Sequence, residues 1–236
     1  MSANADVLRG SELIGSPAQE NTAPEAAVVC EANDWNPEDF GRQQIRGLVQ
    51  RVFFSSGSRP VKQVVLSAVG SNLDLTNICD QVGQALALET HGHIAIVGRE
   101  RRGEETVQAR SGYVRNASVK SWSTQTAVNL WRVPGFGLRQ CAVESGTGPY
   151  WLSCLAALRN EFEYAVIHGP AAGISSEAAL LGQMADGIIL VLGAHSTRKA
   201  TARKIKQTLE ATQSRILGTV LSERRFPVPE QIYRRL

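Results

Sequence analysis

Apolar residues along this chain fall into two alternating patterns. Gln63-Val64-Val65-Leu66-Ser67-Ala68, Ile94-Ala95-Ile96-Val97, Tyr164-Ala165-Val166-Ile167 and Gly187-Ile188-Ile189-Leu190-Val191-Leu192 are short continuous runs that read as strands buried on both faces. Asn129 to Val133 and Ile216 to Leu221 read as further strands. Between the strands the period becomes helical. Ile78, Val82 and Leu86 mark a helix within 74–90, and Trp151, Leu155, Leu158 and Phe162 mark one that begins near Pro149. Residues 176–185 read as helix, and 197–212 as a basic helix with Ala202, Ile205 and Leu209 turned inward. Upstream, Asn36-Pro37-Glu38-Asp39 is a helix start, with Pro at a first helical position and acids in the first turn. Ile45, Leu48, Val49 and Val52 then follow at i, i+3, i+4, i+7, until the turn residues from Ser55 to Pro60. Residues 99–128 are polar and predict loop with at most one short helix. Continuous apolar strands alternating with helices predict a three-layer α/β/α fold with a mostly parallel sheet. Ligands of such sheets bind at the carboxyl ends of the strands.

The first 35 residues carry no sustained period and are rich in Ala, Glu, Asn, Ser and Pro, which predicts a flexible arm over 1–35 and one domain over 36–236. The whole chain has 236 residues, 43% of them hydrophobic, enough for a single sizeable core. Its formal net charge of +3 is too mild to argue for nucleic acid. Cys30, Cys79, Cys141 and Cys154 form no CxxC pair and match no zinc spacing, so they read as reduced cytosolic thiols. No apolar run approaches the ~18 residues of a membrane span, and no secretory h-region opens the chain. His91 and His93 form an HxH pair that would be half a metal site, but with no third ligand nearby it reads as a polar turn.

The first strand-to-helix turn is where this architecture holds phosphates, on backbone N–H groups and a helix N-terminus. A P-loop there reads GxxxxGK[ST], with Lys reaching the phosphates and the hydroxyl holding Mg²⁺. Here the turn reads Ser67-Ala68-Val69-Gly70-Ser71-Asn72-Leu73-Asp74-Leu75-Thr76, with one glycine, and the chain has no Gly-Lys dipeptide. Asp74 stands where Lys is expected. A carboxylate about 4 Å from a phosphate charge costs roughly 4 kcal/mol at an effective dielectric near 20. The missing Lys forfeits a further ~1.5–3 kcal/mol, so several decades of nucleotide affinity are at stake.

Phe162-Glu163-Tyr164-Ala165-Val166-Ile167-His168-Gly169-Pro170, then Ser176-Glu177-Ala178, then Met184-Ala185-Asp186-Gly187-Ile188-Ile189-Leu190-Val191 keep the order and spacing of a known set of motifs. With Arg59-Pro60-Val61-Lys62-Gln63-Val64-Val65-Leu66-Ser67-Ala68, they resemble the cytoplasmic domain of bacterial capsular and exopolysaccharide tyrosine kinases over residues 37–222. The likeness to MinD/ParA ATPases is more distant. The resemblance implies a P-loop NTPase-like fold and a pocket at Gly70, Ser71, Asp74, Thr76, Glu100, Arg102, His168, Gly169 and Pro170. It also marks departures. The family's Walker A Lys falls at Asp74, although Thr76 keeps a hydroxyl. Its Walker B Asp falls at His168. The first acid of its DxDxR motif falls at Gly98 of Gly98-Arg99-Glu100-Arg101-Arg102, where Glu100 and Arg102 stand for the second acid and the Arg. Of its C-terminal tyrosine cluster only Tyr233 remains. Three losses at one pocket imply a pseudoenzyme with degenerate Walker motifs, no catalytic residue, no metal and no cofactor. ATP and Mg²⁺ enter only under the alternative of an active ATPase or tyrosine kinase with an unusual P-loop.

The family's N-terminal helix carries a Glu/Arg pattern that builds a ring. Asp39 and Arg42 match its first acid and Arg by spacing, while Ile45 holds the next Arg position and Arg46 lies one residue later. The partners the resemblance implies are a membrane-bound polysaccharide chain-length regulator or further copies of the chain. The implied location is cytoplasmic, with recruitment to the inner face of the membrane. Arg198, Lys199, Arg203, Lys204 and Lys206 make one helix basic. Functionally this reads as contact with an anionic membrane, an acidic partner or, in a ParA-like binder, nucleic acid; its plain reading is a solvated face. Gly146-Thr147-Gly148-Pro149 would be an anion nest or a plain helix start. His168, at the ligand edge of a buried strand, reads as a catalytic base or as a neutral hydrogen-bonded residue.

Overall fold

The computed structural model of the chain describes residues 37–55, 59–98, 118–135 and 150–223. In chain order these form α1 (Pro37–Phe53), β1 (Gln63–Ala68), α2 (Thr76–Glu89), β2 (Ile94–Gly98), a 3-10 helix (Val119–Trp122), β3 (Thr124–Ala127) and β4 (Leu130–Pro134). Then follow α3 (Tyr150–Glu161), β5 (Tyr164–His168), α4 (Glu177–Met184), β6 (Gly187–Gly193), α5 (Lys199–Ala211) and β7 (Ile216–Ser222). The strands build one sheet in the order β3-β4-β2-β5-β1-β6-β7. Every neighbouring pair is parallel except β3 with β4.

The pleat sorts each strand's residues between two cores. On β1, Val64, Leu66 and Ala68 pack with Val49, Val52 and Phe53 of α1 and with Ile78, Val82 and Leu86 of α2. Val65 points the other way, into a core with Leu155 and Leu158 of α3, Leu181 of α4, and Ile205 and Leu209 of α5. The continuous apolar runs exist because both faces of the central strands are covered. Each fully buried branched side chain contributes roughly 1.5–3 kcal/mol. This is the three-layer α/β/α arrangement that the sequence predicts.

The polar stretch over 99–128 differs from its expectation where it is described. It holds the 3-10 helix and the antiparallel edge strand β3, whose residues are all exposed. A strand with no buried face leaves no hydrophobic alternation to read. The 3-10 helix is held from a distance. Glu161 at the end of α3 accepts hydrogen bonds from the backbone N–H of Val119 (2.6 Å) and Lys120 (3.0 Å) and from Ser118 Oγ (2.5 Å).

Asp186, just before β6, ties three elements together at the amino ends of the strands. Its Oδ2 accepts from the N–H groups of Lys62 and Gln63, each at 2.8 Å, and its Oδ1 pairs with Arg159 Nη2 of α3 at 2.6 Å. Asp186 N–H in turn donates to the Gln63 carbonyl (3.0 Å). Burial alone pushes this carboxyl up, but Arg159 and the two backbone donors outweigh it and hold the carboxyl below its ordinary value.

Candidate functional site

At the carboxyl ends of the strands, the loops after β1 and β5 lie against each other. Gly169 N–H donates to the Leu66 carbonyl and Ala172 N–H to the Ala68 carbonyl, both at 2.8 Å, and Ser67 Oγ donates to the Pro170 carbonyl at 2.6 Å. The approach requires small residues. A Cβ at Gly169 would lie 2.6 Å from Val65 Cγ1, and one at Gly173 would run into the Val69 carbonyl. The other side of the β1 loop is tied to β6, through Val69 N–H to the Val191 carbonyl at 3.1 Å. The loop is thus held on both flanks, with Gly70, Ser71, Asn72 and Asp74 exposed at its crest.

Asp74 turns back onto α2. Its Oδ1 accepts from the Thr76 N–H at 2.9 Å and from Thr76 Oγ1 at 2.6 Å. It therefore serves as an Asx-type cap for a helix whose boundary residue, Leu75, is buried and offers no polar cap. The anion at this helix N-terminus is supplied by the chain itself. The Thr76 hydroxyl is committed to the same carboxylate.

His168 and Gly98 end adjacent strands, since Val97 pairs with Ile167 one residue earlier. A Cβ at Gly98 would stand 3.1 Å from His168 Cβ, so the imidazole stem already fills the space beside this glycine. His168 and Pro170 are half-buried, and Gly169 is buried. Gly70, Ser71, Asp74, Thr76, His168, Gly169 and Pro170 therefore gather at one sheet edge. Glu100, Arg102, Tyr233 and the 146–149 segment lie outside the described residues. Cys79, in the first turn of α2, is pushed up to about 12 by burial, with Asp80 and Asp74 adding to the effect. Its thiol stays protonated and is no nucleophile.

The residues matched to the ring-forming helix are engaged within the chain. Asp39 and Arg42 pair with each other on α1, and Arg46 Nε reaches Glu89 Oε1 at the end of α2 at 2.6 Å. Arg198, Lys199, Arg203, Lys204 and Lys206 are all exposed along and just before α5, with Lys206 3.3 Å from Glu210. His91 and His93 are exposed in the turn before β2. Among the described residues no group of three or more His, Cys, Asp and Glu is arranged to hold a metal ion. None of the described helices is long and apolar enough to cross a membrane.

The self-capping of α2 and the Asp186 tie were not among the sequence expectations. The first has a local signal, Asp two residues before Thr at a helix start. The second has none, because its partners lie more than a hundred residues away.

No family model matches the chain. It is 31% identical over 74 residues to the tyrosine-protein kinase CpsD of Streptococcus agalactiae serotype III. That match covers 31% of this chain and 32% of the relative, so it spans about a third of the curated protein. Among solved structures, the VpsO kinase domain superposes with a TM-score of 0.57 at 16% identity, covering 80% of this chain and 98% of that one. MinD of Aquifex aeolicus superposes with a TM-score of 0.51 at 14% identity, covering 74% of this chain and 73% of that one. At these identities the structural likeness is one of fold. The chain resembles the bacterial capsular and exopolysaccharide tyrosine kinases in sequence and shares with them and with MinD an α/β fold of the P-loop NTPase type.

Proposed function

We propose that this chain is a non-catalytic, pseudokinase-like component of capsular or exopolysaccharide biosynthesis or export, acting through protein–protein contacts. The observation that carries the reading is the Asp74 carboxylate on the N-terminus of α2, bonded to the Thr76 N–H and hydroxyl. In a working P-loop a phosphate and Mg²⁺ claim those groups. The residues present do not fit Mg²⁺-bound ATP held in that way. The stretch from Val69 to Thr76 contains no Lys or Arg, and Gly98 and His168 supply no carboxylate. The polysaccharide context rests on the sequence resemblance to the capsular kinases. By that resemblance the partner is a membrane-bound chain-length regulator or further copies of the chain, and the site of action is the cytoplasmic face of the membrane.

Calorimetric titration of the purified chain with ATP and ADP, with and without Mg²⁺, tests the reading. No heat at millimolar nucleotide is expected. Micromolar, Mg²⁺-dependent binding would overturn the non-catalytic reading and make autophosphorylation and hydrolysis the next assays.

A further inference from the structure

The two edges of the sheet are built differently. The β3 edge is guarded in the usual way: it is four residues long, polar, and its pairing with β4 is broken by a register shift between Gln125 and Ala127. The β7 edge runs for seven residues, Ile216-Leu217-Gly218-Thr219-Val220-Leu221-Ser222, without a charge or a proline. One irregularity, between Ile188 and Ile189 of β6, disturbs its start; from Gly218 to Ser222 the ladder is regular. Leu221 is 57% exposed. A Cβ at Gly218 would meet nothing within 4 Å, so the edge has room for another backbone.

The ladder fixes which backbone groups face outward. The Ser222 carbonyl accepts from Ala194 N–H at 2.8 Å, so Ser222 faces β6. By the alternation of a strand, Val220 and Gly218 also face β6, while Leu221 and Thr219 turn their N–H and C=O away from it.

We propose that β7 pairs antiparallel with β7 of a second copy of this chain, about a two-fold axis at Thr219, joining two sheets edge to edge. The sequence of the edge is self-complementary in this register. Thr219 faces Thr219, and Leu217 faces the second copy's Leu221. Arg215 and Glu223, both exposed at opposite ends of the strand, meet as opposite charges in each of the two rims. The outward-facing residues Thr219 and Leu221 are those that such a pairing uses. Seven residues of edge make a small interface, so the dimer forms and dissociates with concentration. This inference rests on the self-association side of the proposed function and names its surface.

Sedimentation velocity of the full chain, over roughly 1–200 µM, reads the association. The wild-type chain is expected to pass from monomer to dimer. Thr219→Pro removes an outward N–H and leaves the β6 ladder intact, and Leu221→Lys places a cation on the edge. Each is expected to weaken the dimer about tenfold or more while the circular dichroism is unchanged. Hydrogen exchange at Thr219 and Leu221 is expected to slow as the dimer fills. A chain that stays monomeric throughout overturns the inference. So does a dimer that both substitutions leave intact, or exchange protection that ignores concentration, which would mean that the chain's own residues or another ligand cover the edge. A dimer lost on changing Asp39 and Arg42 but not β7 would keep self-association and move it to α1, again overturning this surface. The nucleotide titration is independent: ATP binding would sink the non-catalytic reading and leave edge pairing untouched.

Discussion

Asp74 is one side chain with two consequences. As the cap of α2 it stabilises the fold; as an anion fixed on the helix N-terminus it opposes a phosphate there. Replacing it by Ala removes the acceptor for the Thr76 N–H and hydroxyl and is expected to cost about 1 kcal/mol, read as a lowered urea midpoint with unchanged slope. Asp74→Asn keeps an acceptor and should cost only a few tenths of that. Asp74→Lys restores the cation of a P-loop but not the carboxylates absent at Gly98 and His168. It is expected to gain no Mg²⁺-dependent ATP binding in calorimetry. Micromolar binding by this single variant would show that those two positions are not what limits the pocket. The sequence made the position of Asp74 legible. The direction in which its carboxylate points was not, because that depends on how the loop is clamped between β5 and β6.

At the scale of elements, strands buried on both faces were the easiest part to read: β1, β2, β5 and β6 announce themselves as unbroken apolar runs. β3 was invisible for the converse reason, since Thr124-Gln125-Thr126-Ala127 buries no side chain and its pairing comes from β4 alone. The seat of α2 on the sheet was also hidden. Gly83 lies mid-helix, where Ala would raise helix propensity by about 1 kcal/mol. In the fold a Cβ there would come within 2.5 Å of Ile96 Cγ1 on β2, a buried side chain without room to retreat. Gly83→Ala is therefore expected to destabilise the protein by about 1–2 kcal/mol in spite of its propensity, measured by thermal or urea unfolding. A stabilising result would show that α2 can lift from β2 at little cost.

Across the whole molecule, two carboxylates fasten elements that are distant in sequence, and both are held below their ordinary values. For Glu161, burial pushes the carboxyl up, and Ser118 with the N–H groups of Lys120 and Val119 overcomes it. For Asp186, Arg159 and the N–H groups of Gln63 and Lys62 do the same. A group depressed in the folded state contributes stability that is complete above its unfolded value, near 4 for a carboxyl, and lost as pH falls through its lower folded value. Unfolding free energy should therefore contain no contribution to slope from these two groups between about pH 6 and 8, and should fall on acidification below about pH 4. Asp186→Asn keeps the shape but loses the charge that draws Arg159 and the two backbone donors. About 2 kcal/mol of stability at neutral pH is expected to disappear, less than for a fully desolvated pair because Arg159 is 42% exposed. The diagnostic result is in the slope: the variant should lose less stability than the wild type between pH 5 and 3, so that the two urea-unfolding curves converge in acid. Parallel curves would mean that Asp186 acts through shape and hydrogen-bond count alone, and that its charge contributes nothing to joining β1, β6 and α3.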